Sequence, residues 1–511
     1  MKIKTKALSY EQVMALPRPE HKPPQKPSRA LGALIRVLGA KDLKETDFTW
    51  HEERMEELGP GPYLILMNHS SFIDLEIVNR IFYPKPYCIV CTSDGFVGKE
   101  GLMRSIGCIP TNKFVSDLNL LLDMDCALRE KGCSVLLYPE ASYSFDGTAT
   151  PLPRGMGVML KRLKVPVVGI LTEGAFTRDP LYNCLQKRQV KVSATVRGLL
   201  TKEEIKQKSA KELDELLDRM FSFDGFAWQR DKGIRIPEPF RADGLERILY
   251  KCPHCMAEGK TLGKGTRLRC ESCGAEYELD ELGQLRRLNG ETAFSHIPDW
   301  YAWERSEVRK ELEEGRYLLD VPVEIGMLVD FKAIYMVGEG RLRHDRAGFV
   351  LEGCEGKLHF ERPARLNYSL YADYYWYELG DIICIGDQET QYYCFPPKGT
   401  PVAKARLATE ELYKLQKKKY AKRDREKSLF PGLSFCCVLR THRPCFLKTQ
   451  TSGDVIFHIP CAFSLFSSRG SGECGGRGSR CPYRCPARSP PRCPRSWETA
   501  GSGTRHSRCR G

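Results

Sequence analysis

The sequence of 511 residues contains no run of the 18 or more apolar residues that a membrane-spanning helix needs. Its first residues mix lysine, proline and polar side chains, and lack the continuous apolar core of a secretory signal peptide. No Gly-x-Ser-x-Gly sequence occurs either, so the serine nucleophile elbow of many hydrolases is missing. We therefore expect a cytoplasmic protein whose chemistry does not depend on a serine of that kind.

The net charge of +14 and the 22 cysteines are unevenly distributed along the chain. Residues 431–511 hold 12 arginines and 9 cysteines, but only one lysine and 3 acidic residues. The remaining residues are close to charge balance, so we do not expect a nucleic-acid partner for them. The tail cysteines have no regular spacing and lysine stops abruptly at Lys448. This composition predicts a disordered tail, which is either non-native translation or a segment that binds nucleic acid or metal.

A chain of this length is expected to form several domains. Composition and apolar patterning predict five segments: a basic, proline-rich and poorly ordered arm over residues 1–28, an α/β domain over 29–225, a cysteine module over 245–285, a mainly-β domain with a C-terminal helix over 300–425, and the tail over 431–511.

Short apolar runs alternate with helical patterns in the second segment. Buried strands are predicted at 63–67, 87–91, 134–139, 165–171 and 189–196. A helix is expected after Asp117, which is a good N-cap residue, and an amphipathic helix over 203–219. Strands that alternate with helices predict an α/β fold with a largely parallel sheet.

Residues 29–39 place Leu31, Leu34, Ile35 and Leu38 on one face of a predicted helix. Such a helix suits the surface of a membrane. A helix packed against its own domain would have the same pattern, so both interpretations remain open.

The predicted strand at 63–67 is followed directly by Asn68, His69 and two serines, with Asp74 five positions after the histidine. Ligands of open α/β sheets bind beyond the carboxyl ends of the strands, so His69 is expected to face a crevice. Ser70 or Ser71 would start the next helix, and Asp74 would orient the imidazole from within it. A histidine held by a carboxylate is a general base for a hydroxyl group, although a polar helix cap would leave the same pattern.

Four sequence blocks in this order resemble the glycerolipid acyltransferase family that includes the 1-acylglycerol-3-phosphate acyltransferases. The first block runs from His69 to Asp74, the second from Gly107 to Lys113, the third from Tyr138 to Ser142 and the fourth from Val165 to Val168. The resemblance covers roughly residues 35–220. It implies that His69 deprotonates an acceptor hydroxyl, which then attacks the thioester of an acyl donor.

The resemblance also implies further site residues. Asp74 would orient His69, and substrate binding would fall to Asn68, Lys113, Glu140 and Ser142. The family's third block usually continues with Gly-Thr-Arg, whereas Ala141, Ser142 and Tyr143 stand here. The second-block arginine is replaced by Lys113, and Arg154 is a candidate to compensate for the missing phosphate-binding arginine.

The cysteine module contains two Cys-x-x-Cys pairs that are separated by fourteen residues. This spacing predicts a zinc ribbon in which four thiolates bind structural zinc, and whose ligands are Cys252, Cys255, Cys270 and Cys273. Four protein ligands close the coordination shell, so the zinc would take no part in the chemistry.

These observations predict an acyltransferase, peripheral at the cytoplasmic face of a membrane, that needs no metal for the reaction itself. The donor would be acyl-CoA or an acyl carrier protein, which is then a possible protein partner. The acceptor would be a lysophosphatidate-like glycerolipid in phospholipid synthesis. A non-catalytic scaffold that binds lipid or protein, and a thioesterase that uses water as acceptor, are the alternatives.

Overall fold

The fold was analysed in a computed structural model, which describes residues 2–115 and 117–429. The tail predicted at 431–511 lies outside the described residues. The first part of the chain contains β1 Thr5–Ala7, α1 Tyr10–Met14, α2 Arg29–Glu45, β2 Thr49–Glu53, β3 Leu64–Met67, α3 Asp74–Phe82, β4 Tyr87–Thr92, α4 Glu100–Ser105, β5 Cys108–Thr111, α5 Leu118–Arg129, β6 Ser134–Leu137, α6 Met156–Leu163, β7 Val167–Glu173, α7 Ala175–Arg178, β8 Ser193–Leu200, α8 Lys202–Gln207, α9 Ala210–Met220 and α10 Gly225–Asp231.

Seven of these strands form one mixed sheet in the order β2-β8-β7-β3-β6-β4-β5. All neighbouring pairs are parallel except β7 and β8, so the expected α/β architecture is present with one antiparallel pair. Strand β3 lies in the middle, and every residue of it is buried because helices cover both faces of a parallel sheet. The carboxyl end of β3 therefore opens at the centre of the sheet edge.

Several helix boundaries differ from the prediction. Helix α3 begins at Asp74 itself rather than at Ser70 or Ser71. The single helix predicted over 203–219 is two helices, because Ser209 caps α9 in a capping box with Glu212 and so ends the preceding turn. Asp117 caps α5 as predicted, and its carboxylate accepts from the backbone N–H groups of Asn119 and Leu120.

The arm over residues 1–28 has more structure than its composition predicts. Strand β1 pairs in parallel with a strand of the C-terminal β region, Ile334–Asp345. His21 lies 3.0 Å from the carboxylate of Asp123. Pro27 covers Gly107, where a Cβ atom would lie 2.5 Å from the proline Cγ. Composition does not reveal backbone pairing or close packing of this kind, so it did not predict this order.

Helix α2 is longer than the predicted 29–39 and packs against α3. Leu34, Val37 and Leu38 remain exposed, at 50%, 71% and 69%. One side of the helix packs on the domain, and contact of its exposed apolar side with a membrane stays a prediction. Within the described residues, no helix is long and apolar enough to cross a bilayer.

The rest of the described chain is mainly antiparallel β structure. It contains β9 Thr261–Lys264, β10 Arg267–Cys270, β11 Glu276–Leu279, β12 Leu285–Arg287, α11 Ile297–Glu314, β13 Leu319–Leu328, β14 Ile334–Asp345, β15 Gly348–Gly353, β16 Leu358–Pro363, β17 Tyr371–Trp376, β18 Gly380–Gly386, β19 Gln391–Phe395 and α12 Val402–Leu429.

Strands β9 to β12 form a four-stranded sheet that carries the cysteine module. Strands β13 to β19 form a second sheet in the order β16-β15-β14-β13-β19-β18-β17, and β1 adds to it as the eighth strand. Helices α11 and α12 pack against each other, and α12 also contacts β17 and β18. One hydrophobic core joins both sheets and extends to Phe145, which follows the third block.

Candidate active site

His69 follows the end of β3, and Asn68 fixes the backbone at this point. The Asn68 side chain is fully buried, and its Oδ1 accepts from the backbone N–H of Thr172 on β7 at 2.8 Å. The same oxygen accepts from the Thr172 hydroxyl at 3.1 Å. Asn68 therefore ties the ends of two neighbouring strands together, and all its described contacts are to protein. A contact with substrate stays a prediction.

The imidazole of His69 is paired with the carboxylate of Asp74. Nδ1 lies 3.0 Å from Oδ2 of Asp74, and the same oxygen accepts from the backbone N–H groups of Ser70 and Ser71. Asp74 is 1% exposed, so these donors replace water around its charge. With Nδ1 donating to Asp74, Nε2 carries the lone pair, and it makes no hydrogen bond to a described residue.

Two tyrosines of the third-block segment stack on the His69 ring. The ring centroids of Tyr138 and Tyr143 lie 4.0 Å and 4.1 Å from that of the imidazole. The His69 side chain keeps 19% exposure. Burial lowers the pKa of His69 below its usual 6.5 and the charge of Lys113 adds to this effect, although Asp74 acts in the opposite direction. The imidazole is therefore neutral near pH 7, as a general base must be.

Glu140 fixes the third block to the first. Its Oε1 accepts from the backbone N–H of His69 at 3.2 Å, and its Oε2 accepts from the N–H and hydroxyl of Thr150 at 2.9 and 2.7 Å. The side chain is 1% exposed, and burial raises its pKa to about 7. Both oxygens are therefore bonded to protein donors, and the predicted contact of Glu140 with substrate stays a prediction.

The other predicted substrate contacts lie in three different environments. Ser142 is buried, and its hydroxyl accepts from Nη2 of Arg406 at 3.0 Å. Lys113 lies over the ring of Tyr371, 4.1 Å from the centroid. Arg154 is half exposed and pairs with Asp218 at 2.6 Å, so its guanidinium is bonded to α9.

Sequence reasoning missed the residues that surround the histidine pair. The Ser71 hydroxyl donates to the carboxylate of Asp179, whose pKa burial raises to about 7. Arg178 pairs with Asp179 at 3.0 Å. Of these neighbours only Tyr143 was visible in the sequence, because it stands where the related family usually has the arginine of its third block.

The four cysteines of the ribbon converge on one point. The Sγ atoms of Cys252 and Cys273 lie 3.8 Å apart, those of Cys255 and Cys270 lie 3.7 Å apart, and all four lie within 4.8 Å of one another. Tetrahedral Zn–S bonds of about 2.3 Å place the sulfurs about 3.8 Å apart. The donor set and its spacing therefore fit a zinc ion.

A comparison with known protein families matches part of the first domain. Residues 48–173 match the family model described as Acyltransferase. This segment is an acyltransferase domain. It contains the His69 pair and the second, third and fourth blocks, so the predicted family resemblance is confirmed for this part of the chain.

One solved structure that resembles the chain is the 1-acyl-sn-glycerophosphate (LPA) acyltransferase PlsC from Thermotoga maritima. The identity is 15%, the match covers 38% of this chain and 78% of that chain, and the TM-score is 0.31. No curated protein sequence matches this chain.

Proposed function

We propose that the protein transfers a fatty acyl group from a thioester to the hydroxyl group of a lysophosphatidate-like glycerolipid. The observation that carries the proposal is the His69 pair, in which Nδ1 is held by Asp74 while Nε2 is left without a described partner. The acyltransferase family match over 48–173 supports the reaction class. The acceptor and the donor, acyl-CoA or an acyl carrier protein, are part of the proposal.

In this reaction Nε2 of His69 takes the proton of the acceptor hydroxyl while its oxygen attacks the thioester carbonyl. Asp74 stabilises the imidazolium that forms, because its buried carboxylate lies 3.0 Å from Nδ1. The tetrahedral intermediate then collapses, the carbon–sulfur bond breaks, and the imidazolium returns its proton to the leaving thiolate. The products are an ester and a free thiol.

The exposed apolar side chains suit a substrate with a fatty chain. Phe72 is 63% exposed and its ring lies 5.8 Å from that of Tyr143, which stacks on His69. Leu34, Val37 and Leu38 on α2 are also exposed. We include in the proposal that α2 rests on a membrane surface from which the lipid enters.

Zinc is proposed as a structural element bound by the four ribbon cysteines. The ribbon core is continuous with the C-terminal β region, since Cys252 and Cys270 pack in the same hydrophobic cluster as Trp300 and Leu312 of α11. A zinc ion held by four thiolates would tighten this junction and leaves no coordination position for substrate.

The test is an assay of the purified full chain with radiolabelled acyl-CoA, and in parallel with acyl-loaded carrier protein. The acceptors are 1-acylglycerol 3-phosphate, lysophosphatidylcholine, monoacylglycerol and water. Acylated lipid from the wild type, lost in His69→Ala and retained in the exposed-histidine control His51→Ala, is the expected result. No acylated lipid with any acceptor would refute the proposal, and free fatty acid as the sole product would identify a thioesterase.

A further inference from the structure

A cleft lies between the end of the second block and the C-terminal β region. It is shallow, and the roughly 220 Å³ of empty space over its lining residues is partly open solvent. Its lining includes Lys113, Arg362, Asn367, Ser369, Tyr371 and Gly386. Lys113 on one side of the cleft belongs to the second block, and the residues on the other side lie outside the acyltransferase match.

The cleft contains two cationic side chains and no carboxylate among its lining residues. Within the described residues, the side chain of Arg362 makes one hydrogen bond, from Nε to Oδ1 of Asn367 at 3.1 Å, and no ion pair. Lys113 makes its ring contact with Tyr371 and no ion pair to a described residue. The nearest carboxylates lie beyond ion-pair distance: Asp373 interacts electrostatically with Lys113, and Asp387 with Arg362.

Burial lowers the pKa of Arg362, which reflects the cost of holding a guanidinium away from water without a paired carboxylate. A partly buried cation that lacks an ion pair is stabilised by a bound anion, and the planar guanidinium suits phosphate oxygens. The Oδ1 bond to Asn367 holds the guanidinium in place for such a contact.

The charge of Lys113 in the cleft also acts on the histidine site. Burial is the main cause that lowers the pKa of His69, and the charge of Lys113 contributes in the same direction, so the ammonium lies within electrostatic reach of the imidazole. The second block is also fastened to the β region, because the Asn112 amide donates to the carbonyls of Asp387 and Gln388 at 3.2 Å.

We propose that this cleft binds a phosphate group of a substrate between Lys113 and Arg362, so that the C-terminal β region takes part in substrate recognition. The assignment to a substrate rests on the proposed acyltransferase function. The phosphate is either that of a phosphorylated lipid acceptor or one carried by the coenzyme A donor. The cleft itself has room for about one water molecule, so the phosphate would bind at its open mouth, where the partly exposed Lys113 and Arg362 reach solvent.

The kinetic test compares Arg362→Gln with the control Arg365→Gln, which removes the same charge from an exposed side chain three residues away. We expect Arg362→Gln to raise one KM at least tenfold while Arg365→Gln leaves it unchanged. An increase for 1-acylglycerol 3-phosphate but not for monoacylglycerol identifies the acceptor phosphate. An increase for acyl-CoA but not for an acyl pantetheine thioester identifies the donor phosphate. Equal KM values in the two variants for every substrate would overturn the proposal.

A binding test separates this proposal from the proposed reaction. Inorganic phosphate is titrated calorimetrically into the full chain at constant ionic strength. We expect phosphate binding in the wild type, in His69→Ala and in Arg365→Gln, and at least tenfold weaker binding in Arg362→Gln and Lys113→Gln. If phosphate binds to the wild type and to His69→Ala but the wild type shows no acyl transfer, the proposed reaction is refuted while the proposed phosphate site stands. Unchanged binding in both cleft variants, shown by circular dichroism to be folded, would refute the cleft.

Discussion

The guanidinium of Arg406 donates a hydrogen bond to the hydroxyl of Ser142, 264 residues earlier in the chain. Arg406 is 2% exposed, its Nε lies 3.3 Å from Glu410, and its Nη1 is buried without a described partner. It also lies over the ring of Phe145, 4.2 Å from the centroid. Helix α12 therefore supplies a cation at the third block, where the related family carries its own arginine.

Replacing Arg406 tests whether α12 positions the third block. We expect Arg406→Met to lower the free energy of unfolding by about 1–3 kcal/mol, because the Ser142 hydroxyl and part of the Glu410 charge lose a buried donor. Transfer activity should fall with it, since Tyr143 beside Ser142 stacks on His69. Denaturant unfolding and the acyl-transfer assay measure the two effects. The exposed Lys417→Met on the same helix is the control, and equal stability of the two variants would contradict this role.

Replacing Asp74 tests the orientation of the base. Asp74→Asn should lower kcat roughly 10²–10⁴-fold, because the amide neither holds the Nδ1–H tautomer nor stabilises the imidazolium. Asp125→Asn, which alters an exposed ion pair with Arg129, should leave kcat unchanged. A loss of less than threefold in Asp74→Asn would rule out this role.

The pH dependence of transfer should reflect the lowered pKa of His69. The neutral imidazole is the active form, so the acid limb of kcat/KM should be centred below pH 6.5. Asp74 raises the pKa of His69 in the wild type, so the acid limb of the residual activity in Asp74→Asn should shift to still lower pH. Rates measured between pH 4.5 and 8 are the check, and an acid limb centred above pH 6.5 in the wild type would contradict the expectation.

Glu140 should make the fold less stable as the pH rises. Its pKa is raised from 4.5 to about 7 by burial, so the folded state binds the proton more tightly than the unfolded state. Its contribution is fully present below pH 4.5 and is lost as the pH rises through 7. Glu140→Gln should therefore reduce the decline in stability over this range by about 3 kcal/mol. Unfolding at several pH values measures this, with the exposed-carboxylate variant Glu57→Gln as control; identical slopes would show that Glu140 does not titrate in this way.

Removing zinc should destabilise the ribbon and the junction with α11. We expect one zinc per chain by elemental mass spectrometry, and its loss in Cys252→Ser together with a decrease of several kcal/mol in unfolding free energy. Cys126→Ser, on the partly exposed face of α5, should keep both zinc and stability. A wild-type chain purified without chelator that contains no zinc would disprove the metal site.

Charges on the exposed face of α2 should weaken binding to lipid. The double variant Val37→Glu, Leu38→Glu places carboxylates at positions that are 71% and 69% exposed, so folding is unaffected while insertion into a membrane interface is opposed. Cosedimentation with vesicles containing anionic phospholipid is the measurement. The control places the same charges at Leu262 and Leu318, which are 42% and 52% exposed in other parts of the chain. Equal sedimentation of the two double variants would exclude α2 as the contact.

Much of the local structure was predictable because it depends on neighbours in the chain. The apolar run 63–67 is long enough to predict a buried strand, and Asp117 is placed to cap helix α5. Both features depend only on residues within one strand or one turn. The His69 and Asp74 pair is local in the same sense, because five positions separate them. The capping box at Ser209 was equally visible in the sequence, but the uninterrupted amphipathic pattern obscured it.

The sequence by itself determined the α/β class of the first domain, the histidine pair and the four-cysteine spacing, because periodicity and short-range geometry encode them. Only the tertiary structure decided what surrounds that pair. Arg406 reaches Ser142, and Arg362 shares a cleft with Lys113, because a sheet and a helix formed far along the chain pack against the edge where β3 ends. Contacts across such distances depend on how whole elements pack, and no local pattern records that.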